Sequence, residues 1–382
     1  MICPKCRGDA RFVEYRACRL QTLLGEVAYE RAYYHCRQCR SGWFPTDAEL
    51  RVVQRRSPGQ REVISLVGVV EAFEQGGRGV LQRLSGVSVS ASTIRRVTEA
   101  AGKDVAERRL RGETIGSEAA WEWNRDARGR RTAYISLDGV TVLQQGPRAA
   151  KAEARVAWMG AVFNPQPTAQ KKRRRVWDRR YVSGLMPLPE IGRQLRRECD
   201  AAGLSGADVV VALTDGGNGL EDCLIEAVRG LSRDTRFILD FYHASEHLVE
   251  FAKVFAPHDE DRRKRLSHAW CRMLKRRGGE TLLKELKSLD LAGRPAAVRE
   301  AHRQLTGYVA GNRHRMNYPQ YVKNGWEIGS GLIESACKTV VNHRLKQSGM
   351  RWKPPGTNEL CHLRALYRSE RSLWQAYWRS TA

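Results

Sequence analysis

Two short apolar runs near the middle of the chain each end in an aspartate, and they constrain the fold more than any other feature. The run "RTAYISLD" ends in Asp138, and the run "ADVVVALTD" ends in Asp215. Neither run alternates apolar with polar residues, which is typical of central strands buried on both faces of a sheet. Because open α/β sheets place their sites at the carboxyl ends of such strands, both aspartates are candidate site residues.

The segments around these runs predict a mixed sheet with helices on its faces. Two more strand-like segments, "ARVAWMGAVF" and "RRVWDRRYVSG", follow the first run, and helix-like segments then alternate with strand-like ones. This order favours an α/β core over residues 125–254. Residues 255–325 are rich in Arg, Lys, Glu and Leu at helical spacing and predict an all-α segment. One more amphipathic helix is predicted over residues 353–382.

Four cysteines in two CxxC pairs mark residues 1–50. Cys3 and Cys6 form one pair, Cys36 and Cys39 form the other, and strand-like residues lie between them. Four thiolates suit a tetrahedral structural Zn²⁺ site, and without a secretion signal they indicate a reducing compartment, so a zinc ribbon is predicted. The 29 residues between the pairs exceed the usual ribbon spacing, and we expect a hairpin to absorb them. Redox-active or unmetallated thiols are the alternative.

A helical region is predicted over residues 51–115. Its second half contains Gly86 and then "VSVSASTIRRVTEAAG", which begins with serines and carries Arg95 and Arg96. A helix, a glycine-containing turn and a Ser/Thr-initiated helix with paired arginines are typical of a helix-turn-helix. One interpretation is that Arg95 and Arg96 contact DNA, and the other is that the region is a plain helical spacer.

The charge balance predicts a polyanionic partner. Lys and Arg number 66 against 42 Asp and Glu, giving a formal net charge of +24 that is spread along the chain. We expect DNA or RNA first and an anionic membrane surface second, because no apolar run approaches the roughly 18 to 20 residues that span a bilayer. Candidate DNA-binding residues beyond the arginine pair are Lys171, Lys172, Arg173, Arg174 and Arg175, for which a solvated hairpin is the alternative, and Lys338, Arg344, Lys346, Arg351 and Trp352.

A third carboxylate completes a candidate catalytic set. Glu334 lies in "GSGLIESACKTV", in the first turn of a helix predicted within residues 326–352. Two strand-end aspartates and this glutamate supply the hard oxygen ligands that Mg²⁺ prefers, and a pair of such ions supports in-line displacement at phosphorus. The spacing of Glu334 and Lys338 also fits an ion pair along a helix. We favour a phosphate contact for Lys338, because an ion pair would compete for the ligand.

Two residues leave the assignment of the second acid open. Asp240 also ends a strand-like run, and it is the alternative to Asp215, whose preceding strand is the more buried in type. If Asp215 is the ligand, we expect His243 to support the metal site or to contact DNA. A helix cap or a core position is the structural alternative for His243.

Five segments of the sequence resemble those of a known family. The segments "SLDGV", "LTDGGNGL", "ILDFYHASEHL", "GSGLIESACKTVVNHRLKQSGMRW" and "LRALYRS" resemble bacterial insertion-sequence transposases of the ISKra type, which are DDE transposases with a ribonuclease-H-like core. The resemblance covers nearly the whole chain, and its most specific part is residues 329–352. It implies that Asp138, Asp215 and Glu334 are the catalytic acids, with Mg²⁺ or Mn²⁺ as cofactor, and that a helical insertion splits the core.

The resemblance also implies a function and partners. It implies cleavage and strand transfer of double-stranded DNA, at terminal inverted repeats and at target DNA, by a homodimer or larger assembly in the cytoplasm with the nucleoid. A catalytically inactive DNA-binding regulator and a metal-dependent nuclease on the same fold are the alternatives.

Overall fold

The structure, a computed structural model, describes residues 1–116, 120–146, 151–165, 177–217 and 219–381. The strands within these ranges form one three-stranded and one five-stranded sheet. They are β1 (Ala10–Thr22), β2 (Gly25–Cys36), β3 (Gly42–Trp43), β4 (Thr132–Gln144), β5 (Glu153–Pro165), β6 (Trp177–Gly184), β7 (Val209–Thr214) and β8 (Thr235–Leu239).

Helices make up most of the remaining described chain. The α-helices are α1 (Pro45–Glu49), α2 (Pro58–Val70), α3 (Gln82–Ser85), α4 (Ala91–Leu110), α5 (Leu188–Ala201), α6 (Leu220–Val228), α7 (Phe241–Phe255), α8 (Glu260–Lys287), α9 (Ala296–Asn312), α10 (Tyr318–Lys323), α11 (Gly331–Ala336), α12 (His343–Leu345), α13 (Pro354–Arg368) and α14 (Arg371–Thr381). Two π-helical segments (Gln75–Leu81 and Cys337–Asn342) and two 3₁₀ turns (Leu204–Gly206 and Arg313–Arg315) join some of them.

The five-stranded sheet is mixed, with the strand order β6-β5-β4-β7-β8. The pairs β4–β5 and β5–β6 are antiparallel, whereas the pairs β4–β7 and β7–β8 are parallel. The parallel strands β4, β7 and β8 therefore direct their carboxyl ends to one edge of the sheet. The prediction of a mixed α/β fold with helical regions is confirmed.

Helices cover both faces of this sheet. On one face Leu137 of β4 belongs to a buried cluster with Leu195 of α5 and Leu224 of α6. On the other face Tyr134 belongs to a larger cluster that includes residues of α7 and α13. All six residues of β7 are buried. Because side chains alternate along a strand, Asp138 lies on the same face as Tyr134.

The first predicted strand does not end at Asp138, so that expectation is wrong. β4 continues to Gln144 because its pairing with β5 extends as far as the pair Gln144 and Glu153. Its parallel pairing with β7 stops at the pair Ser136 and Leu213. Asp138 thus lies inside a strand but just beyond the end of the parallel ladder, beside the residues that follow β7.

The predicted single C-terminal helix is two helices, α13 and α14. The backbone N–H of Tyr181 donates to Ser369 Oγ at 2.9 Å, between the two helices. Glu370 accepts a hydrogen bond from Trp121 Nε1 at 2.9 Å and forms an ion pair with Arg180 at 3.2 Å. These contacts with β6 and its surroundings hold the chain where the helix is interrupted.

The segment predicted to be all-α, residues 255–325, is helical and contains α8, α9 and α10. Gly278 interrupts α8 with a φ of +81°, a conformation that glycine adopts without steric cost. Nowhere in the described ranges does a helix combine the length and the apolar composition that crossing a membrane requires.

Candidate catalytic site and metal centre

The four predicted cysteines converge at the three-stranded sheet. Their Sγ atoms all lie within 4.8 Å of one another, with 3.6 Å between Cys3 and Cys39 and 3.5 Å between Cys6 and Cys36. Four thiolates at about 2.3 Å from a tetrahedral Zn²⁺ are about 3.8 Å apart, so the set is close enough to bind a metal ion. Hydrogen bonds from the side chain and backbone of Ser41 lower the pKa of Cys39 to about 6, which favours its thiolate form. The β1–β2 hairpin absorbs the long spacing between the pairs.

Asp138 shares its surroundings with the other two predicted acids. Its carboxylate accepts hydrogen bonds from Gly139 N at 2.6 Å and from Cys337 Sγ at 3.4 Å. Burial raises the pKa of Asp138, the Gly139 hydrogen bond opposes this, and the charges of Asp215 and Glu334 raise the pKa further. Three acids from distant parts of the sequence therefore repel one another at this edge of the sheet.

Asp215 follows directly after β7, in a turn built from glycines. Its Oδ1 accepts a hydrogen bond from Gly217 N at 2.9 Å. Gly216 has a φ of +92°, and a Cβ atom there would lie 2.7 Å from Leu239 Cδ1. The "TDGG" sequence is thus required for the turn that presents the Asp215 carboxylate.

Arg315 supports this turn from the helical segment. Its side chain is buried, donates to Thr214 Oγ1 at 3.2 Å and forms an ion pair with Glu221 at 3.0 Å. The guanidinium therefore ties the end of β7 and the start of α6 to the chain after α9. Sequence reasoning did not identify Arg315, since one arginine among many in this segment carries no distinguishing pattern.

Glu334 lies in α11 and forms an ion pair in the structure. The Lys338 Nζ donates to Glu334 Oε1 at 2.6 Å, with side chains that are 59% and 60% exposed. The ion pair that the spacing fits is therefore present, and the phosphate contact of Lys338 stays a prediction. Exposed pairs of this kind contribute only about 0.3–0.5 kcal/mol, so the pair can open at little cost.

Asp240 holds the turn that leads to Glu334. Its Oδ1 accepts hydrogen bonds from Tyr242 N at 2.7 Å and His243 N at 3.4 Å, which caps α7. Its Oδ2 accepts from Ser330 N at 3.1 Å and also from Ser330 Oγ. The side chain is buried, and both of its oxygens are engaged. Asp240 has the contacts of a positioning residue.

The His243 side chain contacts neighbours on its own helix, and its support of a metal site or contact with DNA stays a prediction. The imidazole Nδ1 lies 3.6 Å from a carboxylate oxygen of Glu246, and the ring packs against His247 with 5.0 Å between ring centroids. The backbone N–H of His243, by contrast, takes part in the α7 cap. The N-cap of α7 is Asp240, so the helix-cap alternative does not describe the His243 side chain.

Cys337 is the site residue that sequence reasoning missed. It lies three residues after Glu334, at the start of the π-helical segment Cys337–Asn342, and donates to Asp138. Burial raises the pKa of Cys337, so it stays a neutral thiol that donates to the carboxylate. The E-x-x-C spacing, which puts two side chains on one helix face, was the signal available. Such π-helical turns are frequent at functional sites.

Two predicted DNA-binding residues are buried, so those predictions are wrong. The Arg344 Nε donates to the Gly68 carbonyl oxygen at 3.0 Å, and the guanidinium lies 4.5 Å from the Phe73 ring centroid and 5.1 Å from that of Trp352. The indole Nε1 of Trp352 donates to the Leu345 carbonyl oxygen at 3.0 Å. Both side chains pack the segment after Glu334 against α2 and are not available to a ligand.

The other predicted DNA-binding residues are either exposed or lie outside the described residues. Arg95, Arg96, Lys346 and Arg351 are exposed, and Arg95 forms a long ion pair with Glu99 at 3.8 Å. The serine-rich start of α4 is confirmed as a cap, because Ser90 Oγ accepts from Thr93 N. The segment from Lys171 to Arg175 lies outside the described residues.

The chain is similar to proteins whose function is not described. Residues 5–184 match the model of an uncharacterised protein family, UPF0236. Over 376 residues the chain is 24% identical to a Streptococcus gallolyticus protein described as "UPF0236 protein in vanSb 3'region", and the alignment covers 94% of this chain and 74% of that protein. The chain therefore resembles UPF0236 proteins over most of its length, and this resemblance assigns no activity to it.

Proposed function

We propose that this protein is a DDE transposase that cleaves DNA at the ends of its insertion sequence and joins them to target DNA. The observation that carries the proposal is geometric: Cys337, one turn after Glu334, donates to Asp138 at 3.4 Å, and Asp138 lies beside Asp215 at the end of the parallel ladder of a mixed sheet. Acids that repel one another in a partly buried site are costly unless a cation is bound there. The site therefore has the electrostatics of a divalent-metal site.

The arrangement of the sheet supports a ribonuclease-H-like core. Three antiparallel strands, β6-β5-β4, continue into two parallel strands, β7-β8, on the far side of β4, and helices cover both faces. The first acid lies on the central strand β4 and the second at the end of its parallel neighbour β7. Helices α8 to α10 separate the second acid from the glutamate, which supports a core split by a helical insertion.

The donor set fits hard divalent cations. Asp138, Asp215 and Glu334 would hold Mg²⁺ or Mn²⁺, since carboxylate oxygens are the ligands these ions prefer. A pair of such ions supplies charge stabilisation to the attacking and leaving oxygens in a displacement at phosphorus. Among the described residues the three carboxylates do not all lie within 4.8 Å of one another, as the cysteines do. Ligands shared between two ions about 4 Å apart need not be that close.

Asp215 is the better supported second acid. Within the described ranges its carboxylate accepts a single hydrogen bond, from Gly217 N in its own turn. In contrast, both carboxylate oxygens of Asp240 accept hydrogen bonds, one from the start of α7 and the other from Ser330. We therefore assign Asp215 as a catalytic acid and Asp240 as the positioning residue that fixes the turn before Glu334.

The chain's own residues prepare this site in three ways. Asp240 and Ser330 fix the start of α11, and the Cys337 thiol orients the Asp138 carboxylate from the end of the same helix. Arg315 holds the end of β7 in place. A cation held by the Glu334 carboxylate would leave the Lys338 ammonium available to contact a DNA phosphate.

We further propose that the N-terminal region binds DNA. The four-cysteine module would be a zinc ribbon, and the exposed Arg95 and Arg96 on α4 would contact the terminal repeats. Transposition joins two DNA ends, which favours a homodimer or larger assembly acting on the nucleoid in the cytoplasm.

The proposal is tested with purified protein and DNA that carries the inverted repeats flanking its coding region. With Mg²⁺ we expect cleavage at the repeat ends and joining to a target plasmid, and we expect neither with Asp215→Asn at equal DNA binding. Binding without cleavage would support the regulator. Cleavage by the wild type without joining would support the nuclease. Either result would refute the transposase.

A further inference from the structure

Helix α8 carries a run of positive charge that the candidate site does not use. Residues 262–277 contain eight Lys and Arg and no Asp or Glu. The apolar residues of this helix face inward, where Trp270 and Leu274 are buried in the core that α8 shares with α7 and α9. The charge is therefore on the solvent side of a helix whose other side is fully packed.

Three arginines form a straight line on that solvent side. Arg265, Arg272 and Arg276, here called the α8 stripe, are all exposed, and with His268 they line a shallow concavity of about 540 Å³. Their positions, seven and four residues apart, return to the same helix face at each step. At about 1.5 Å per residue the stripe is about 16 Å long.

The α8 stripe differs from several exposed arginines of this protein that have an acidic partner one turn earlier. Arg193, Arg229 and Arg303 each pair with a glutamate three positions earlier on the same helix. Within the described part of the chain, the stripe arginines form no ion pair. Like charges four residues apart destabilise a helix by a few tenths of a kcal/mol, so the pattern has a cost that stability alone does not explain.

We propose that the α8 stripe binds the backbone phosphates of duplex DNA. This inference rests on the proposed function and adds to it a DNA contact outside the predicted DNA-binding residues. A duplex carries one phosphate per about 1.7 Å of its axis, so a line of three guanidiniums about 16 Å long can follow a strand. Guanidinium forks match phosphate oxygens, and such contacts position DNA without reading its sequence.

An anionic membrane is the less favoured partner for the α8 stripe. A helix that lies on a lipid surface buries an apolar face in the bilayer boundary. The large apolar residues of α8, such as Trp270 and Leu274, are already buried in the protein core. Only Ala269 and the half-buried Met273 lie beside the arginines, and they offer little apolar area.

The test compares two triple variants with equal loss of charge. Arg265→Gln/Arg272→Gln/Arg276→Gln removes the stripe, and Arg193→Gln/Arg229→Gln/Arg303→Gln removes three exposed, acid-paired arginines as the matched control. Binding of a fluorescein-labelled duplex of arbitrary sequence is measured by anisotropy over a series of KCl concentrations, in EDTA so that no cleavage occurs. Thermal melting of both variants confirms that they are folded.

The salt dependence of DNA binding decides the outcome. Each phosphate contact contributes about 0.9 to the slope of log K against log salt, so the stripe variant is expected to lower the slope by about 2.7, and the control to leave it unchanged. Equal slopes in the two variants would overturn the inference, while wild-type cleavage by both would leave the proposed function intact. Loss of binding to phosphatidylserine vesicles, with an unchanged DNA slope, would assign the stripe to a membrane and also overturn the inference. A wild-type protein without affinity for DNA would overturn both proposals.

Discussion

Asp215 and Asp240 each follow a parallel strand, yet replacing each by asparagine is expected to have opposite effects on stability and activity. In Asp240→Asn one amide oxygen can still accept from Tyr242 N and cap α7. The amide nitrogen then faces Ser330 N, where the carboxylate had accepted a hydrogen bond at 3.1 Å. Two donors facing each other in a buried place cannot both be satisfied.

The size of the Asp240→Asn effect follows from these contacts. A hydrogen bond to a charged group contributes about 1.5–3 kcal/mol, and the lost charge at the α7 N-terminus about 0.3–1 kcal/mol more. A total of about 2–4 kcal/mol lowers the melting temperature by about 4–16 °C, at about 2–4 °C per kcal/mol for a folding unit of 150–250 residues. In Asp215→Asn the acceptor for Gly217 N remains, and one charge that repels Asp138 is removed, so no loss of stability is expected.

The two variants are compared by thermal melting without divalent cations and by DNA cleavage with Mg²⁺. We expect Asp215→Asn to melt at or above the wild-type temperature and to lack cleavage. Asp240→Asn is expected to melt lower but to keep partial cleavage well below its melting temperature. A wild-type melting temperature for Asp240→Asn would refute the positioning role, and full cleavage by Asp215→Asn would refute its assignment as the second acid.

Three further variants test other parts of the structure. Asp138→Asn is expected to raise the melting temperature of the metal-free protein at neutral pH. Because the pKa of Asp138 is raised in the folded protein, its carboxyl group stabilises the fold at low pH. That contribution is lost as the pH rises from about the ordinary pKa of 3.8 through the raised value. The contribution of this position to the melting temperature should therefore fall between acid and neutral pH in the wild type but not in the variant. The same pH dependence of the melting temperature in both proteins would contradict the prediction. Arg344→Met is expected to lower the free energy of unfolding by about 1–3 kcal/mol, because the Gly68 carbonyl oxygen loses its hydrogen-bond donor. The salt dependence of DNA binding is expected to stay unchanged. A smaller slope would show that Arg344 contacts DNA. Elemental analysis is expected to find one Zn²⁺ per chain in the wild type and none in Cys36→Ser, whose β1–β2 hairpin is expected to become sensitive to protease. A resistant hairpin would show that metal is not needed there.

The sequence was sufficient for elements whose pattern is local. The unbroken apolar runs before Asp138 and Asp215 predicted central strands because burial on both faces leaves no polar alternation. The cysteine pairs predicted their own cluster because the spacing of metal ligands is itself local. Both patterns state a physical requirement within a few residues, so no knowledge of the rest of the fold was needed.

Residues whose role depends on distant partners were assigned wrongly or left open. Asp240 differs from Asp215 only through hydrogen bonds to Ser330, which is 90 residues later in the chain. The local sequence around Arg344 predicts an exposed cation. The side chain is buried instead, because Gly68 and Phe73, about 270 residues earlier, supply a carbonyl oxygen and an aromatic ring. A single sequence carries no signal for such pairings. It therefore cannot distinguish a metal-binding aspartate from one that holds a turn, or an exposed arginine from a buried one.

The position of Glu334 has a physical explanation in these distant contacts. Its helix, α11, continues without a break through the π-helical segment Cys337–Asn342 into α12. Asp240 fixes its start through Ser330, and Cys337 fixes its end against Asp138. The contacts that order α11 therefore also bring its glutamate close to Asp138, whose pKa is raised mainly by burial and further by the charges of Asp215 and Glu334. The clamp and the repulsion are thus two consequences of one arrangement, in which the fold gives up stability in exchange for a site that favours a cation.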